Sequence, residues 1–532
     1  MTELFTKSKI PIKPLYTAED VAGLDVEKQL GLPGAFPYTR GIRPAAAWRW
    51  IQRELSGEGT PRTSNAQLKY LISKGQSGID VIADAPTMAL MDPDHPLAGN
   101  AIGTQGVSLC TLQDFRDLWA DLPLESLTIS NSISSHFSAA ALYLVARENG
   151  VPPENLRGSI AQAPFFTEDC GYSYHLPVSL RLRLSCDSIE FCTRFMPKFH
   201  SFVEDIYFIS EAGLDAVEET ALGFIEIRYI VREILRRGLD IDSFAPRIAI
   251  LVNCGMDFFE EIAKIRATRR LFARMMKEEF GAKDPRSMAP VITCHTSGLS
   301  LTAQQPFNNI VRGAVQTLAL VLAGVQAIEI SAFDEAYRTP SPESHLVGLR
   351  TQQVIGLETN VTKVVDPLGG SYYLESLTDE IEKRVRDMIR DIESRGDAVT
   401  LLEKGWFKRF FHEAMARYAK NIQDGELPKV GLNCFQIPEE EDTLLRDVAE
   451  SKFEPCWQRI DQIKAYKRNR DMGRVKAALQ ECLEKTKTPC ENLMTPLINA
   501  FEAGATMGEI TGVMRMACDW PYDPFDMMEP IL

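Results

Sequence analysis

"APVITCHTSGLSLTAQQPFNNIVRGAVQTLALVLAGVQAIEIS", residues 289–331, is the stretch on which the fold reading turns. It opens with a short apolar run rich in branched residues, APVITCH (289–295), and crosses a polar segment. It then enters a patterned helix, NNIVRGAVQTLALVLAG (308–324), closed by Gly324 as helix ends often are. A second branched run, VQAIEIS (325–331), follows at once. Strand, helix and strand in that order form one unit of a parallel sheet.

Outward from this unit the same alternation holds from residue 78 to residue 368. The other runs that read as strands are IDVIAD (79–84), SLTISNS (126–132), LRGSIAQA (156–163), VEDIYFIS (203–210), RIAILVN (247–253) and TKVVDP (362–367), which brings the set to eight. Helical segments such as SAAALYLVAREN, LDAVEETALGFIEIRYIVREILRRG and EEIAKIRATRRLFARMMKEEFG lie between them. Eight parallel strands with intervening helices over about 290 residues predict a (β/α)8 TIM barrel with its active site at the carboxyl ends of the strands. A doubly wound sheet is the competing architecture. Residues 1–60, with Pro and Gly throughout LGLPGAFPYTRGIRP, read as an extended, irregular lead-in, and residues 61–400 as the barrel. Residues 401–532, charged and helical as in WQRIDQIKAYKRNRDMGRVKAALQECLEK, read as an appended domain or a docking arm. There is no internal repeat and no low-complexity tract.

The chain has 532 residues, 45% of them hydrophobic, enough for substantial cores. A formal charge of -15 argues against a nucleic-acid surface but leaves room for a local basic channel that takes a phosphorylated small molecule. The eleven cysteines are scattered without a CxxC pair, as expected of reduced thiols in a cytosol. The N-terminus lacks the apolar core of a signal peptide, and no run reaches the roughly 18 apolar residues of a membrane helix, so a cytoplasmic location is expected.

On the barrel reading the strand ends carry Ser130, Asn131, Gln162, Tyr207, Glu211, Asn253, His295, Glu335 and Asp366 to one polar rim. Each is a functional candidate or a structural hydrogen-bonder. No HxH, HExxH or His pair at helical spacing supports a metal site, so no metal ligand is assigned. Cys294 beside His295 suggests a nucleophile. Neighbouring strand residues point to opposite faces, however, which makes Cys294 a core residue. Gly369 and Gly370 of DPLGGSYY can approach a phosphate or form a tight turn. The residues alone therefore describe a barrel enzyme with a polar, metal-poor mouth.

Several segments carry the reading further: KPLYTAEDV, LPGAFPYTRG, TSNAQLKYLISKGQSGIDV, DPDHPLAG, DFFEEIAKIRATRRLFAR, SLTAQQPFNNIVRGA, FDEA and VDPLGGSYY. Together, in this order and over nearly the whole chain, they resemble the large, substrate-binding part of the methylmalonyl-CoA mutase family. That family uses adenosylcobalamin to rearrange the carbon skeleton of an acyl-CoA by radical chemistry. The resemblance implies a barrel threaded by the CoA arm and closed by cobalamin at the strands' carboxyl ends. Arg53, Thr128, Ser130, Ser159, Lys198 and Arg247 would line the CoA path, or stand as ordinary surface groups. Glu211, Glu335 and Ala336 match contacts to the corrin and the adenosyl ribose, with Ser331 in place of a ribose-contacting asparagine. The family's cobalt-ligating histidine sits in a D-x-H-x-x-G motif. DPDHPLAG fails that spacing because Asp94 directly precedes His95. A separate small cobalamin-binding subunit is thus implied, making a hetero-oligomer of the two-subunit acyl-CoA mutase type. The C-terminal segment is a docking candidate, and a G-protein chaperone is a further partner suggested by the family.

Departures from the pattern bear on substrate. A substrate-pressing tyrosine is replaced by Leu55, the histidine of a Gly-Tyr-His run by Phe208 after Tyr207, and a glutamine by Ala161. The arginine that would clamp a second carboxylate falls near Asp169, and no arginine lies between Arg157 and Arg181. A buried carboxylate needs a cationic partner, so a dicarboxylic acyl group is disfavoured. Leu55, Phe165, Phe166 and Phe208 suggest a wider, apolar pocket for a branched or bulky monocarboxylic acyl-CoA. The aspartate expected for 2-hydroxyisobutyryl recognition would lie near Ile82, which does not supply it. Against the family's H-x-Q-T-S-G, Thr293 stands for the histidine and His295 for a substrate-facing glutamine. His295 and Tyr207 become the catalytic candidates, with His295 a donor to the acyl group or thioester. A non-catalytic paralogue that binds CoA or a partner is the alternative, and a metal- or base-dependent barrel lyase a third.

Overall fold

In a computed structural model, the structure describes residues 4–44, 49–170, 174–450 and 454–532. Nine strands form one sheet: β1 (Ile51–Arg53), β2 (Leu55–Ser56), β3 (Ile79–Ile82), β4 (Thr128–Ser132), β5 (Arg157–Gln162), β6 (His200–Asp205), β7 (Ile248–Cys254), β8 (Val291–Thr296) and β9 (Ala327–Glu329). Their order is β1-β9-β8-β7-β6-β5-β4-β3-β2, and each of the six pairs of known register is parallel. Only Glu54 separates β1 from β2, so the two ends of the order are one interrupted strand. The sheet returns to its start with eight strand positions, which is the (β/α)8 barrel and not a doubly wound sheet.

Two strand expectations need correction. TKVVDP is a loop, in which Lys363 N–H turns back to the Asn360 carbonyl, Val364 is exposed and Asp366 adopts a left-handed φ of 46°. Asp366 is therefore not on the rim: its carboxylate accepts Arg40 Nε at 2.8 Å and Arg266 Nη1 at 2.5 Å. The missing strand is the β1/β2 pair inside "WIQRELSG", in the segment read as lead-in. In VEDIYFIS the strand stops at Asp205, whose side chain caps a short helix, Ile206–Ser210, by accepting Phe208 N–H at 2.9 Å. That turn lifts Tyr207 and Phe208 beyond the strand end.

By compactness the chain divides into one unit of residues 1–54 and 204–452 and another of 55–203 and 453–532. In the second unit the last four helices, α10 (Gln458–Asn469), α11 (Met472–Lys487), α12 (Met494–Glu502) and α13 (Met507–Ala517), are not a free arm. Leu479, Leu497, Phe501 and Ile510 share one core with Ile79, Ile129, Phe115 and Phe137, and the Phe501 ring lies 5.6 Å from that of Phe137. Burial of each such side chain contributes about 1.5–3 kcal/mol. The motif DPDHPLAG serves this packing. Asp92 and Asp94 pair with Lys467 at 2.9 and 2.8 Å, while His95 lies beside the Asp523 carboxylate at 3.2 Å and its Nδ1 accepts Leu97 N–H. Both ring nitrogens are thus engaged within this unit. No helix among the described residues is long and apolar enough to cross a membrane.

In the first unit the long helices α4 (Ala216–Arg236), α5 (Phe258–Arg274), α6 (Asn308–Ala323) and α8 (Tyr372–Ser394) bear most of the packing. α6 ends on Gly324 in the left-handed conformation, as its sequence predicts. Cys294 is fully buried and faces the charges of α5, on the side opposite to its neighbours Thr293 and His295. That placement agrees with its reading as core.

Candidate active site at the strand carboxyl ends

Parallel register sets four polar residues of the first unit in one row. Arg53 of β1 pairs with Glu329 of β9, Glu329 with His295 of β8, and His295 with Asn253 of β7. All four lie on the strand face turned away from the Cys294 side, because strand residues alternate. Arg53, Glu329 and His295 are 3%, 0% and 4% exposed. Arg53 Nε pairs with Glu329 Oε1, its Nη2 donates to Thr293 Oγ1 at 2.8 Å, and His295 Nε2 pairs with Glu329 Oε2. The Tyr207 ring packs 4.7 Å from that of His295, so the two catalytic candidates adjoin.

The row continues into a second cluster. Glu211, at the end of the capped turn after β6, accepts Ser297 Oγ at 2.8 Å, Leu299 N–H at 2.9 Å and Asn253 Nδ2 at 3.0 Å. Burial raises its carboxyl above the ordinary range against the pull of these donors. Gly298 permits this closeness, since a Cβ there would lie 3.0 Å from Glu211 Oε2 and 3.9 Å from Glu335 Oε1. The Leu299 carbonyl accepts the Tyr418 hydroxyl at 3.0 Å and the Lys429 ammonium. Burial, with Arg312 assisting, lowers Lys429 to about 8, while Glu211 opposes that shift.

Glu335 follows β9 on a loop fixed from α6. Asn309 Nδ2 donates to the Thr302 and Phe333 carbonyls, each at 2.8 Å, and Arg312 donates to Thr302 Oγ1 at 2.9 Å and the Val430 carbonyl at 2.7 Å. The "PFNNIVRGA" motif thereby staples the loops after β8 and β9. Glu335 accepts Ala332 N–H at 2.9 Å, and its carboxyl is pushed up to about 7, mainly by desolvation, with Glu211 and Asp334 adding and His295 opposing. The Glu335 side chain is nonetheless exposed, as is Ala336, so water reaches this carboxylate. Ser331 is committed to the strand ends: its hydroxyl donates to the Thr296 carbonyl at 2.7 Å.

The remaining candidates are dispersed. Arg247 is half-buried just before β7, and Phe208 is half-buried beside Tyr207. In the second unit Ser130 and Ser159 pair in register and share a hydroxyl–hydroxyl hydrogen bond, with Thr128 half-buried at the start of β4. Gly158 allows that pairing, because a Cβ there would fall 1.8 Å from the Ile129 carbonyl. Leu55 is half-buried in β2 and Asp169 half-buried in a short helix, Thr167–Cys170. Lys198 is exposed and donates to Asn155 at 2.7 Å. Gln162 is tied to the Ser201 carbonyl and Ser185, a structural knot. Sequence reasoning missed Glu329 and Lys429. A lone acid inside the apolar strand "QAIEIS" was the available signal for the first, whereas nothing local marks the second.

These arrangements place carboxylates, a histidine and a tyrosine at strand ends. A family model described as methylmalonyl-CoA mutase matches residues 5–519. The chain belongs to the methylmalonyl-CoA mutase family. It is 35% identical over 518 residues to the 2-hydroxyisobutanoyl-CoA mutase large subunit of Aquincola tertiaricarbonis, covering 96% of this chain and 92% of that one. It is 35% identical over 521 residues to the methylmalonyl-CoA mutase of Escherichia coli strain K12, covering 97% and 72%. With the mitochondrial methylmalonyl-CoA mutase of Homo sapiens the identity is 33% over 514 residues, covering 96% and 68%. In this member of the mutase family the strand-end carboxylates Glu211 and Glu335 lie beside a row of ionisable groups on β1, β9 and β8.

Proposed function

We propose that the chain is the large, acyl-CoA-binding subunit of an adenosylcobalamin-dependent acyl-CoA mutase acting on a branched, uncharged acyl group. The observation that carries this reading is the turn at Gly298, where Glu211, Glu335 and the Tyr207 hydroxyl converge, with the Tyr207 ring packed on His295. Its side chains fit the cofactor: the amide arms of a corrin and the hydroxyls of a ribose seek acceptors, and the Glu211 and Glu335 carboxylates supply them. Glu211, Glu335 and the Ala336 backbone would hold it. When bound, adenosylcobalamin supplies the carbon radical that abstracts hydrogen from the acyl group. The chain's own part is to exclude water, to orient the thioester through His295 and Tyr207, and to keep Glu211 and Glu335 in place through Asn253, Ser297 and the α6 staples.

The cobalt ligand is proposed to come from a small partner subunit that carries a D-x-H-x-x-G motif, which supports a hetero-oligomer. The relative named as a large subunit matches this chain over 92% of its own length, in line with that division of labour. The test mixes the full chain with a cognate small subunit, adenosylcobalamin and a panel of acyl-CoAs. It follows cobalt–carbon homolysis by absorbance and the rearranged product by mass spectrometry. Turnover of a branched acyl-CoA is expected. Cofactor binding without homolysis for any acyl-CoA would favour the non-catalytic reading instead.

A further inference from the structure

The three ionisable side chains of the inner row are not independent. Glu329 is a single carboxylate set between two basic groups, Arg53 on one oxygen and His295 on the other. The Arg53 guanidinium is therefore occupied, its remaining identified donor going to Thr293. The other ionisable groups of this unit around the row are mostly acids under strain. Asp205 is raised to about 6, with Glu329 among the causes after burial. Glu54 is raised well above the usual range, with Glu329 and Glu335 contributing after burial. Glu335 itself stands near 7. This neighbourhood already holds more negative charge than it readily ionises.

We propose that Glu329 is a specificity-determining residue of the acyl-CoA site, rejecting acyl groups that carry a second carboxylate and admitting uncharged ones. It does so in two ways. It consumes the Arg53 guanidinium, which a substrate carboxylate would otherwise take as a bidentate partner. It also sets a buried carboxylate where a second one would have to lie, a repulsive element of the kind on which discrimination between near-isosteres depends. The proposal rests on the acyl-CoA reading above, and explains substrate choice by a carboxylate that is present in addition to the missing clamp arginine.

The test compares two inert thioethers of the same carbon skeleton, isobutyl-CoA and 2-carboxypropyl-CoA, by calorimetric titration of the full chain. Wild type is expected to favour isobutyl-CoA by about tenfold or more. In Glu329→Gln that preference should shrink by about tenfold, as Arg53 becomes available and the repulsion disappears. Circular dichroism and thermal melting establish that the variant folds. If it does not, the double variant Arg53→Met/Glu329→Leu replaces the charged pair by apolar volume and reads the effect of the pair as a whole, with an expected narrowing of about threefold. A preference within about twofold of wild type in the folded variant overturns the proposal. Equal affinity of wild type for both thioethers also overturns it and leaves the acyl-CoA reading standing, whereas binding of neither refutes that reading and this proposal with it.

Discussion

Glu211→Gln leaves the side chain almost unchanged in size and removes one acceptor from a carboxylate that takes three hydrogen bonds. In the native chain one oxygen accepts Asn253 and Ser297 and the other accepts Leu299 N–H. A glutamine that keeps its carbonyl toward the first pair turns its NH2 toward the Leu299 amide, so one charge-assisted bond is lost and two donors face each other. A hydrogen bond to a charged group is worth about 1.5–3 kcal/mol net, and the Leu299 amide should exchange about 10- to 150-fold faster. Hydrogen exchange of peptides spanning residues 295–305, read by mass spectrometry on the chain alone, measures this without cofactor or partner. Because burial raises the Glu211 carboxyl, wild type begins to lose its own charge as pH falls, and the gap in protection between the two proteins should narrow toward acid. Unchanged protection of Leu299, or an equal loss in Glu335→Gln, would refute the assignment of Glu211 as the anchor of this loop.

Other perturbations test the supports of the site. Lys429 is lowered from 10.5 to about 8, so between these values the unfolded chain holds more protons and stability should rise with pH. The slope is at most about 1.4 kcal/mol per pH unit, less solvent screening, and denaturation midpoints at pH 8, 9 and 10 should show it vanish in Lys429→Met. Glu204, fully buried and facing Glu226, is raised well above 4.5. Wild type should therefore lose up to about 1.4 kcal/mol per pH unit as pH rises above that value, and Glu204→Gln should flatten the curve in urea titrations; parallel curves would count against the buried acid pair. Lys264 Nζ sits between Glu219 and Glu261, each at 2.5 Å, and donates to the Asn253 carbonyl at 2.7 Å. Lys264→Met should cost about 3–5 kcal/mol in chemical denaturation, most of it recovered when Glu219→Gln and Glu261→Gln are added.

The barrel was legible because strands and crossover helices differ in hydrophobic period, and the branched runs at 79–84, 126–132 and 289–295 each coincide with a strand to within one or two residues at its ends. The first strand escaped notice because it is short, broken at Glu54 and written with charges, WIQRELSG, so no apolar run marks it. TKVVDP carried the opposite signal, since Val364 and Val365 imitate a strand where turns around Asn360 and Asp366 break the chain. At the site, the family resemblance of ISEAG and FDEA singled out Glu211 and Glu335, and the structure brings both beside Gly298. The motifs could not show that Arg53, 276 positions before Glu329, would meet it, because that contact depends on closure of the sheet through β9. Lys429 was invisible for the same reason: its partner, the Leu299 carbonyl, has no side-chain signature.

Period two explains how one strand can keep a fold and change a chemistry. On β8, Ile292 and Cys294 are fully buried on the helix side, while Thr293 and His295 face the row. On β9, Ile328 lies on the helix side and Ile330, just past the strand, approaches Gly313 of α6, while Glu329 between them faces inward. The outward set fixes packing against the helices and tolerates little change in volume. The inward set stands on the opposite face from that packing, so a change of polar residue at 293, 295 or 329 leaves the helix contacts of these strands in place. Such exchanges must still balance charge, since a buried Arg53 without Glu329, or Glu329 without Arg53 and His295, leaves an ion in low dielectric. The acid at 329 and the bases at 53 and 295 therefore form one coupled set, and variants that alter one alone should be rescued by altering its partner.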